Sequence, residues 1–170
     1  MKKIRSIITC LLCFLLLTAC GSKKALPNNI TAKNLVDAIV KSAEEPQVNV
    51  FYTKEKDPLD AYTMSLWVDG AYQECEEYDL IDDYAVFYSA DNSTYEISVL
   101  KAKNDADIQK ITSVFERRKQ TLASGDKAEY DPDFEKIMDS SKIIIEGRFV
   151  ILIITSDTTS AVNAIENLKQ

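Results

Sequence analysis

The N-terminal twenty residues determine how much of the chain remains to fold. Three basic residues within the first five precede an uncharged, mostly apolar run over residues 7–17, and small residues then lead into Cys20. This order is typical of a secretory signal peptide. The apolar run has eleven residues, whereas a membrane-spanning helix needs about 20. We therefore predict that residues 1–19 are a signal peptide that is removed.

The end of this segment, Leu17 to Cys20, resembles the lipobox of bacterial lipoproteins. The resemblance implies a diacylglyceryl group on Cys20 and cleavage just before it. Because two acyl chains hold a protein stably on a bilayer, we expect a lipid-anchored protein on the outer face of the cytoplasmic membrane. Residues 20–31 would then be the lipidated cysteine and a short tether, and residues 32–170 a single domain.

The charge of the mature chain narrows the choice of partners. The signal peptide removes three basic residues and no acid, so 20 − 3 = 17 Lys and Arg remain against 27 Asp and Glu, a net charge of −10. Phosphate backbones are bound by clustered Lys and Arg, so this balance argues against a nucleic-acid partner. Anionic headgroups should repel the domain surface, which leaves the lipid as the main attachment to the membrane.

Cysteine and histidine usage limits both the fold and its chemistry. Two of the four cysteines lie in the signal peptide and Cys20 carries the lipid, which leaves Cys75 without a partner in the mature chain. The fold must therefore depend on its core and not on a disulfide. We interpret Cys75 as a small, partly buried hydrophobe. The chain has no histidine, which removes Ser-His-Asp and Cys-His catalysis and His-ligated metal sites.

Apolar periodicity and turn residues predict an α+β fold. In chain order the pattern indicates a helix from Thr31 to about Ala43, a short apolar run over 48–52 for which a strand is one interpretation, a helix starting at Asp57-Pro58, a hairpin of strands 84–89 and 94–101, a helix over 104–123, a short helix capped by Asp131, a hairpin of strands 143–145 and 149–155, and a helix capped by Asp157. Two strand-strand-helix units predict a four-stranded antiparallel sheet, with helices mainly on one face and an N-terminal helical segment.

The two units are similar in pattern at an offset of 54 residues. Without a gap, this shift pairs Ile97 with Ile151 in the strands and Ile111 with Ile165 in the helices. A duplication would produce this agreement. So would any two strands that are each followed by an amphipathic helix, and the pattern leaves both explanations open.

Arg118 is a charged residue on the apolar stripe of the long predicted helix, where it requires a partner. Five strand residues and eleven helical residues both rise about 17 Å, which brings Glu96 beside Arg117 or Arg118. One interpretation is a structural ion pair that fixes the helix on the sheet. The other is a pocket in which Arg118 binds an anionic group.

A second constellation is an acidic segment. Between Asp57 and Leu100 there are eleven carboxylates and no Lys or Arg. Its densest part consists of Glu74, Glu76, Glu77, Asp79, Asp82 and Asp83. These residues suit a cation such as Ca²⁺ in type, but their spacing does not match a known calcium loop. A solvated acidic face is favoured, with a docking surface for a basic partner as the next interpretation.

From about Tyr72 to its end, the chain resembles a family of small Firmicute lipoproteins that share a domain of unknown function. The matching positions are Tyr84-Ala85-Val86, Glu96-Ile97-Ser98-Val99 with Lys101, Arg117-Arg118, Tyr130-Asp131-Pro132 and Gly147-Arg148-Phe149-Val150. The resemblance supports lipid anchoring and the strand-strand-helix interpretation. It implies no catalytic residues and no cofactor.

These observations favour a non-catalytic binding or interaction module at the cell envelope, with a protein partner there as one candidate. The alternative is an envelope hydrolase that uses a pair of carboxylates on cell-wall glycan, since such chemistry needs no histidine. A cleft with two carboxyl groups about 5 to 9.5 Å apart would favour the hydrolase.

Overall fold

A computed structural model of the chain describes residues 24–43, 46–91 and 93–170. The predicted signal peptide, Cys20 and the first part of the predicted tether lie outside these ranges. Among the described residues, no helix is both long enough and apolar enough to cross a membrane.

Five strands form one antiparallel sheet in the order β1-β2-β3-β5-β4. Their bounds are β1 Asn49–Thr53, β2 Ile81–Ser89, β3 Glu96–Ala102, β4 Lys142–Glu146 and β5 Phe149–Ile154. The prediction of four strands was wrong by one. The apolar run near residue 50 is a strand, and it pairs with β2 at the edge of the sheet. The two hairpins predicted from the sequence form the other four strands.

Six α-helices within the described residues cover both faces of this sheet. Their bounds are α1 Ala32–Ser42, α2 Ala61–Asp69, α3 Ile108–Ser124, α4 Lys127–Tyr130, α5 Phe134–Ser140 and α6 Thr158–Leu168. Helices α2, α3 and α5 pack on one face, and the single turn α4 contacts α3 and α5. Helices α1 and α6 pack together on the opposite face. Four of the six helices therefore share one face, which agrees with the predicted arrangement.

The alternation of side chains along the strands creates two hydrophobic clusters. In β2, Tyr84 and Val86 face α2 and α3, whereas Ala85 and Phe87 face α1 and α6. Successive strand residues point to opposite faces, so a strand covered on both sides must be apolar throughout. All six residues of β5 are buried. Among the described residues, the members of the two clusters extend from Leu26 to Leu168.

The topology argues against a symmetric duplication. The register pairs Ile97 with Ile153 and Val99 with Ile151, so β3 and β5 are antiparallel neighbours. A two-fold axis between such strands would place both following helices on the same face. However, Ile111 of α3 and Ile165 of α6 lie in the two different clusters. The similarity at an offset of 54 residues therefore reflects two amphipathic units and not symmetric copies.

Helix α2 starts three residues later than the sequence pattern suggested. We expected Asp57 as its N-cap, but Asp57 has φ 54°, and Asp60 caps the helix instead. The Asp60 carboxylate accepts a hydrogen bond from the Thr63 N–H at 2.8 Å, and the Thr63 hydroxyl accepts one from the Asp60 N–H at 2.9 Å. This reciprocal capping box satisfies two N–H groups at once. Gly70 ends the helix in the left-handed conformation.

The face of α2 that packs on the sheet also differs from the prediction. We expected Leu59, Tyr62 and Leu66 to face the core together. Tyr62 and Leu66 are exposed, whereas Met64 and Trp67 are buried. Because the helix starts at Ala61, its buried face is rotated. Trp67 packs edge-on against Phe115 of α3, as expected of a core tryptophan.

Candidate functional site

Arg118 and Glu96 form an ion pair between α3 and the start of β3. The Nε and Nη2 atoms of Arg118 lie 3.0 and 2.8 Å from Oε2 of Glu96. The other carboxylate oxygen accepts a hydrogen bond from the Ser98 hydroxyl at 3.0 Å. Glu96 is only 2% exposed. Its charge is therefore compensated by one cation and one hydroxyl in a nearly dry environment.

Arg118 is also fixed by α2 and by an aromatic ring of β2. Its Nη1 donates to the backbone carbonyl of Trp67 at 2.7 Å. The guanidinium carbon lies 5.5 Å from the centre of the Trp67 ring and 5.9 Å from that of Tyr88, within the range of cation–π attraction. A guanidinium has five N–H donors, and three are used here, so two remain for another acceptor.

A small pocket opens beside this ion pair, and we call it the Arg118 pocket. It has a volume of about 240 Å³. It is lined by Tyr88, Ser89, Thr94, Tyr95, Glu96, Arg118, Thr121, Leu122, Gly125, Asp126, Lys127 and Ile154. The pocket therefore combines aromatic and apolar walls with charges of both signs.

Lys127 is the second cation of the Arg118 pocket. Its ammonium group donates to the backbone carbonyl of Ser93 at 2.9 Å. Burial and the neighbouring charge of Arg118 lower the pKa of Lys127 below its usual value, although nearby carboxylates act in the opposite direction. Arg118 and Lys127 thus line the same pocket, and an anion bound between them would interact favourably with both charges.

The wall formed by Tyr88 is neutral at physiological pH. Burial raises the pKa of Tyr88 to about 12, with a contribution from the neighbouring Tyr52. The phenol of Tyr88 thus keeps its proton and can donate a hydrogen bond.

The loop before α5 differs from the prediction. We expected Asp131 to cap this helix, but the helix begins at Phe134, next to Asp133. The Asp131 carboxylate accepts hydrogen bonds from the N–H groups of Thr94 and Asp133, at 2.6 and 3.0 Å. Asp131 therefore joins the β2–β3 turn to the segment before α5.

Arg117 contacts a different set of partners although it is adjacent to Arg118. Its Nε lies 2.9 Å from Asp69, and its Nη1 and Nη2 each lie 3.0 Å from one carboxylate oxygen of Glu77. Burial acts to raise the pKa of Glu77, but the hydrogen bonds and charge of Arg117 outweigh it, so the pKa lies below its usual value. Arg117 links α2, α3 and the acidic segment near the surface.

The six acids in the densest part of the acidic segment do not converge on one point. Glu77 pairs with Arg117, Asp82 lies 3.4 Å from the ammonium of Lys101, and Asp83 accepts the N–H of Ala32 at 2.8 Å. The other three, Glu74, Glu76 and Asp79, are exposed. Within the described residues, no group of three or more Cys, Asp or Glu side chains is arranged to hold a metal ion.

Cys75 lies beneath this segment as a buried thiol. It is 5% exposed, and its sulfur lies 3.6 Å from Oε2 of Glu77. Burial raises the pKa of Cys75 to about 11, and the negative charge of Glu77 adds to this effect. A thiol in this environment is a poor nucleophile.

We expect Cys75 to resist alkylation in the folded protein. With a pKa of about 11 against about 8.5 for a free thiol, the thiolate fraction at about pH 8 is lower by roughly 200-fold. Iodoacetamide labelling, quantified by mass spectrometry on the peptide that contains Cys75, should be slower by at least this factor. The same peptide should label at the ordinary rate in guanidinium chloride. Rapid labelling of the folded protein would contradict the buried position.

The sheet, its two helical layers and the Arg118 pocket define an α+β domain with a small pocket of mixed polar and apolar lining at one end of the sheet. Residues 77–155 match the family model described as a domain of unknown function, DUF4358. The matched region extends from the segment before β2 to the end of β5, and it includes Glu96, Arg118 and Lys127. The expected similarity to a domain of unknown function is therefore confirmed over this region. No curated protein and no solved structure is significantly similar to the chain.

Sequence reasoning missed Lys127 as a site residue. It lies on α4, a helix of four residues, which is too short to produce a periodic pattern. The one available signal was its position shortly after the helix that carries Arg118. Only the three-dimensional structure brings Lys127 to the same pocket.

Proposed function

We propose that this protein is a lipid-anchored, non-catalytic binding module of the cell envelope. In this proposal the Arg118 pocket binds a small ligand that carries a carboxylate or a phosphate. The observation that carries the proposal is the placement of two cations, Arg118 and Lys127, in one partly buried pocket of an acidic chain.

The anchor is supported by the signal-like N-terminus and by the sequence that ends at Cys20. Lys24, the first residue that the structure describes, is four residues after Cys20, and four extended residues span at most about 14 Å. The domain would therefore meet ligands and partners near the membrane surface.

The anionic ligand is supported by the charges within the pocket. Glu96 is already compensated by Arg118 and Ser98, whereas Lys127 donates to backbone carbonyls. The pKa of Lys127 is lowered by burial and by Arg118. A ligand carboxylate or phosphate would use the two remaining N–H groups of Arg118 and the ammonium of Lys127. Charged acceptors make the stronger hydrogen bonds in such sites.

The size and walls of the pocket limit the rest of the ligand. A volume of about 240 Å³ corresponds to about eight water molecules at about 30 Å³ each. This is below the range of about 300–1,000 Å³ that is typical of drug-sized ligands. Tyr88 and Leu122 offer an aromatic ring and an apolar surface. The pocket suits one sugar unit or a small metabolite.

The pocket favours binding over glycan hydrolysis. A hydrolase needs two carboxylates that are free to act as an acid and as a base or nucleophile. Glu96 is engaged by Arg118 and Ser98 through both of its oxygens. Asp126, the other carboxylate in the wall, is exposed at the rim.

The test uses the lipidated protein in a neutral detergent. Its thermal midpoint is measured with inorganic phosphate, with N-acetylmuramic acid and with N-acetylglucosamine, a neutral sugar that lacks the lactyl carboxylate. A ligand at 100 times its dissociation constant stabilises a protein by about 2.7 kcal/mol, or several degrees. We expect a shift with an anionic compound and none with the neutral sugar.

The variant Lys127→Met should weaken binding of the anionic compound about tenfold or more, because a hydrogen bond to a charged group contributes about 1.5 to 3 kcal/mol. Lys136→Met, on the exposed side of α5, is the matched control and should bind normally. Equal shifts with the neutral and the anionic sugars, or equal binding by both variants, would contradict the proposal.

A further inference from the structure

A second, larger cleft lies at the opposite end of the sheet, and we call it the tether cleft. It is an open space of about 920 Å³. Its charged lining consists of Lys24, Lys101, Glu146, Arg148, Glu166 and Lys169. Four cations face two carboxylates here, although the mature chain has an excess of ten acids. The tether cleft is thus a local reversal of the overall charge.

The cations Lys24, Lys101 and Arg148 differ in how far other groups of the chain already compensate them. The ammonium of Lys101 lies 5.3 Å from the centre of the Phe149 ring and 3.4 Å from a carboxylate oxygen of Asp82. Arg148 donates to the backbone carbonyls of Ala102 and Lys103, which are neutral acceptors. Lys24 is exposed at the start of the described chain.

The fourth cation is already compensated. Lys169 lies 2.7 Å from Glu146 and 2.7 Å from Glu166. Its pKa is raised by these two hydrogen bonds. Lys169 offsets only one of these two carboxylates, so the six charged side chains of the cleft sum to 4 − 2 = +2. Asp82 beside Lys101 reduces this local charge to +1.

The path of the chain places this cleft beside the predicted anchor. Residues 24–28 form one wall, and the N–H of Gln170 donates to the carbonyl of Ala25 at 3.1 Å, which holds that wall against the end of α6. Lys24 is four residues after Cys20. Four extended residues reach at most about 14 Å. A lipid on Cys20 would thus hold the tether cleft next to the headgroups.

We propose that the tether cleft binds the phosphate of an anionic phospholipid headgroup. This inference depends on the lipid anchor of the proposed function. The bound headgroup would orient the domain, because it would hold the end of the sheet that carries the tether cleft at the membrane surface. Lys101 and Phe149 line the tether cleft, whereas Glu96 and Ile154 line the Arg118 pocket. Lys101 is five residues from Glu96 along β3, and Phe149 is five residues from Ile154 along β5. Five strand residues span about 17 Å, so the Arg118 pocket would face away from the bilayer.

The acidic residues beside the tether cleft favour binding of a single lipid over adsorption to the bilayer surface. Asp82 and Asp83 are the second and third residues of β2, next to the end of β3 that carries Lys101. A broad approach of this surface to an anionic bilayer would meet repulsion. Recognition of a single headgroup within the cleft avoids it. We therefore expect saturable binding of one lipid, in contrast to general adsorption.

The experiment measures the thermal midpoint of the lipidated protein in a neutral detergent. Dihexanoyl-phosphatidylglycerol, dihexanoyl-phosphatidylcholine and glycerol phosphate are added separately. We expect phosphatidylglycerol to raise the midpoint by several degrees at saturation and the other two to leave it unchanged at the same concentration. Arg148→Gln and, separately, Lys24→Gln should weaken the response to phosphatidylglycerol at least tenfold. Lys24 is exposed on the tether, so its replacement should not affect folding, and Lys136→Gln is the control.

No response to phosphatidylglycerol, or a response that both variants retain, would overturn the headgroup site. An equal response to glycerol phosphate would show a site for soluble phosphate and overturn the membrane assignment. The mass of the N-terminal peptide reports on the lipid anchor separately. Failure of the anchor would thus be seen in that mass, and failure of the cleft in the thermal midpoint.

Discussion

Replacement of Arg118 by Met is expected to lower the free energy of unfolding by about 3 to 5 kcal/mol. The substitution removes the positive partner of Glu96, which is 2% exposed, and leaves a buried carboxylate with only the Ser98 hydroxyl. It also removes the hydrogen bond to the Trp67 carbonyl. A buried charge without its counterion is among the few changes that cost this much.

Urea denaturation at 25 °C measures this loss as a lower midpoint at an unchanged slope. The matched control is Arg117→Met. The Arg117 side chain is 35% exposed, and exposed ion pairs contribute about 1 kcal/mol or less. The double variant Glu96→Gln/Arg118→Met should recover part of the lost stability, because it leaves no uncompensated charge. Equal losses for Arg117→Met and Arg118→Met would contradict a structural role specific to Arg118.

Replacement of Cys20 by Ala is expected to abolish lipidation completely. In the proposed anchor the thioether forms on the sulfur of Cys20, which alanine lacks. Metabolic labelling with an alkyne fatty acid should mark the natural protein and leave Cys20→Ala unmarked. The variant should also keep residues 1–19, which the mass of the intact protein would show. Cys75→Ala is the control and should be labelled normally, and labelling of Cys20→Ala would contradict the anchor.

The sequence predicted the C-terminal half of the fold well because its signals are long and local. The alternating residues of β2 and β3, the 17-residue helix α3 and the apolar run of β5 each exceed what chance produces. The turn at Gly147 has φ 58°, which glycine adopts at little cost. These elements were found with errors of a few residues at their ends.

The N-terminal half was harder to predict because its signals are short or compete. Strand β1 has five residues and a half-buried pattern, so the sequence did not distinguish it from a loop. At α2 sequence reasoning missed the cap at Asp60, where reciprocal hydrogen bonds with Thr63 start the helix three residues after Asp57. A single-sequence pattern does not weigh one cap against another.

The candidate site was predictable only in part. Lengths along a strand and a helix brought Glu96 near Arg117 or Arg118, but they did not choose between two consecutive residues. The choice follows from the helix face, since Arg118 turns toward β3 and Arg117 toward Asp69 and Glu77. Lys127 and the tether cleft depend on contacts between distant segments, which periodicity does not encode.

The central claim is that the Arg118 pocket is a binding site for small anions. Its most direct test is a titration of the ¹⁵N-labelled protein with inorganic phosphate and with N-acetylmuramic acid, followed by amide chemical shifts. The account predicts saturable shifts that cluster at Ser89, Thr94, Leu122 and Lys127. Shifts that cluster instead in residues 74–83, or no saturable shifts with either compound, would contradict it.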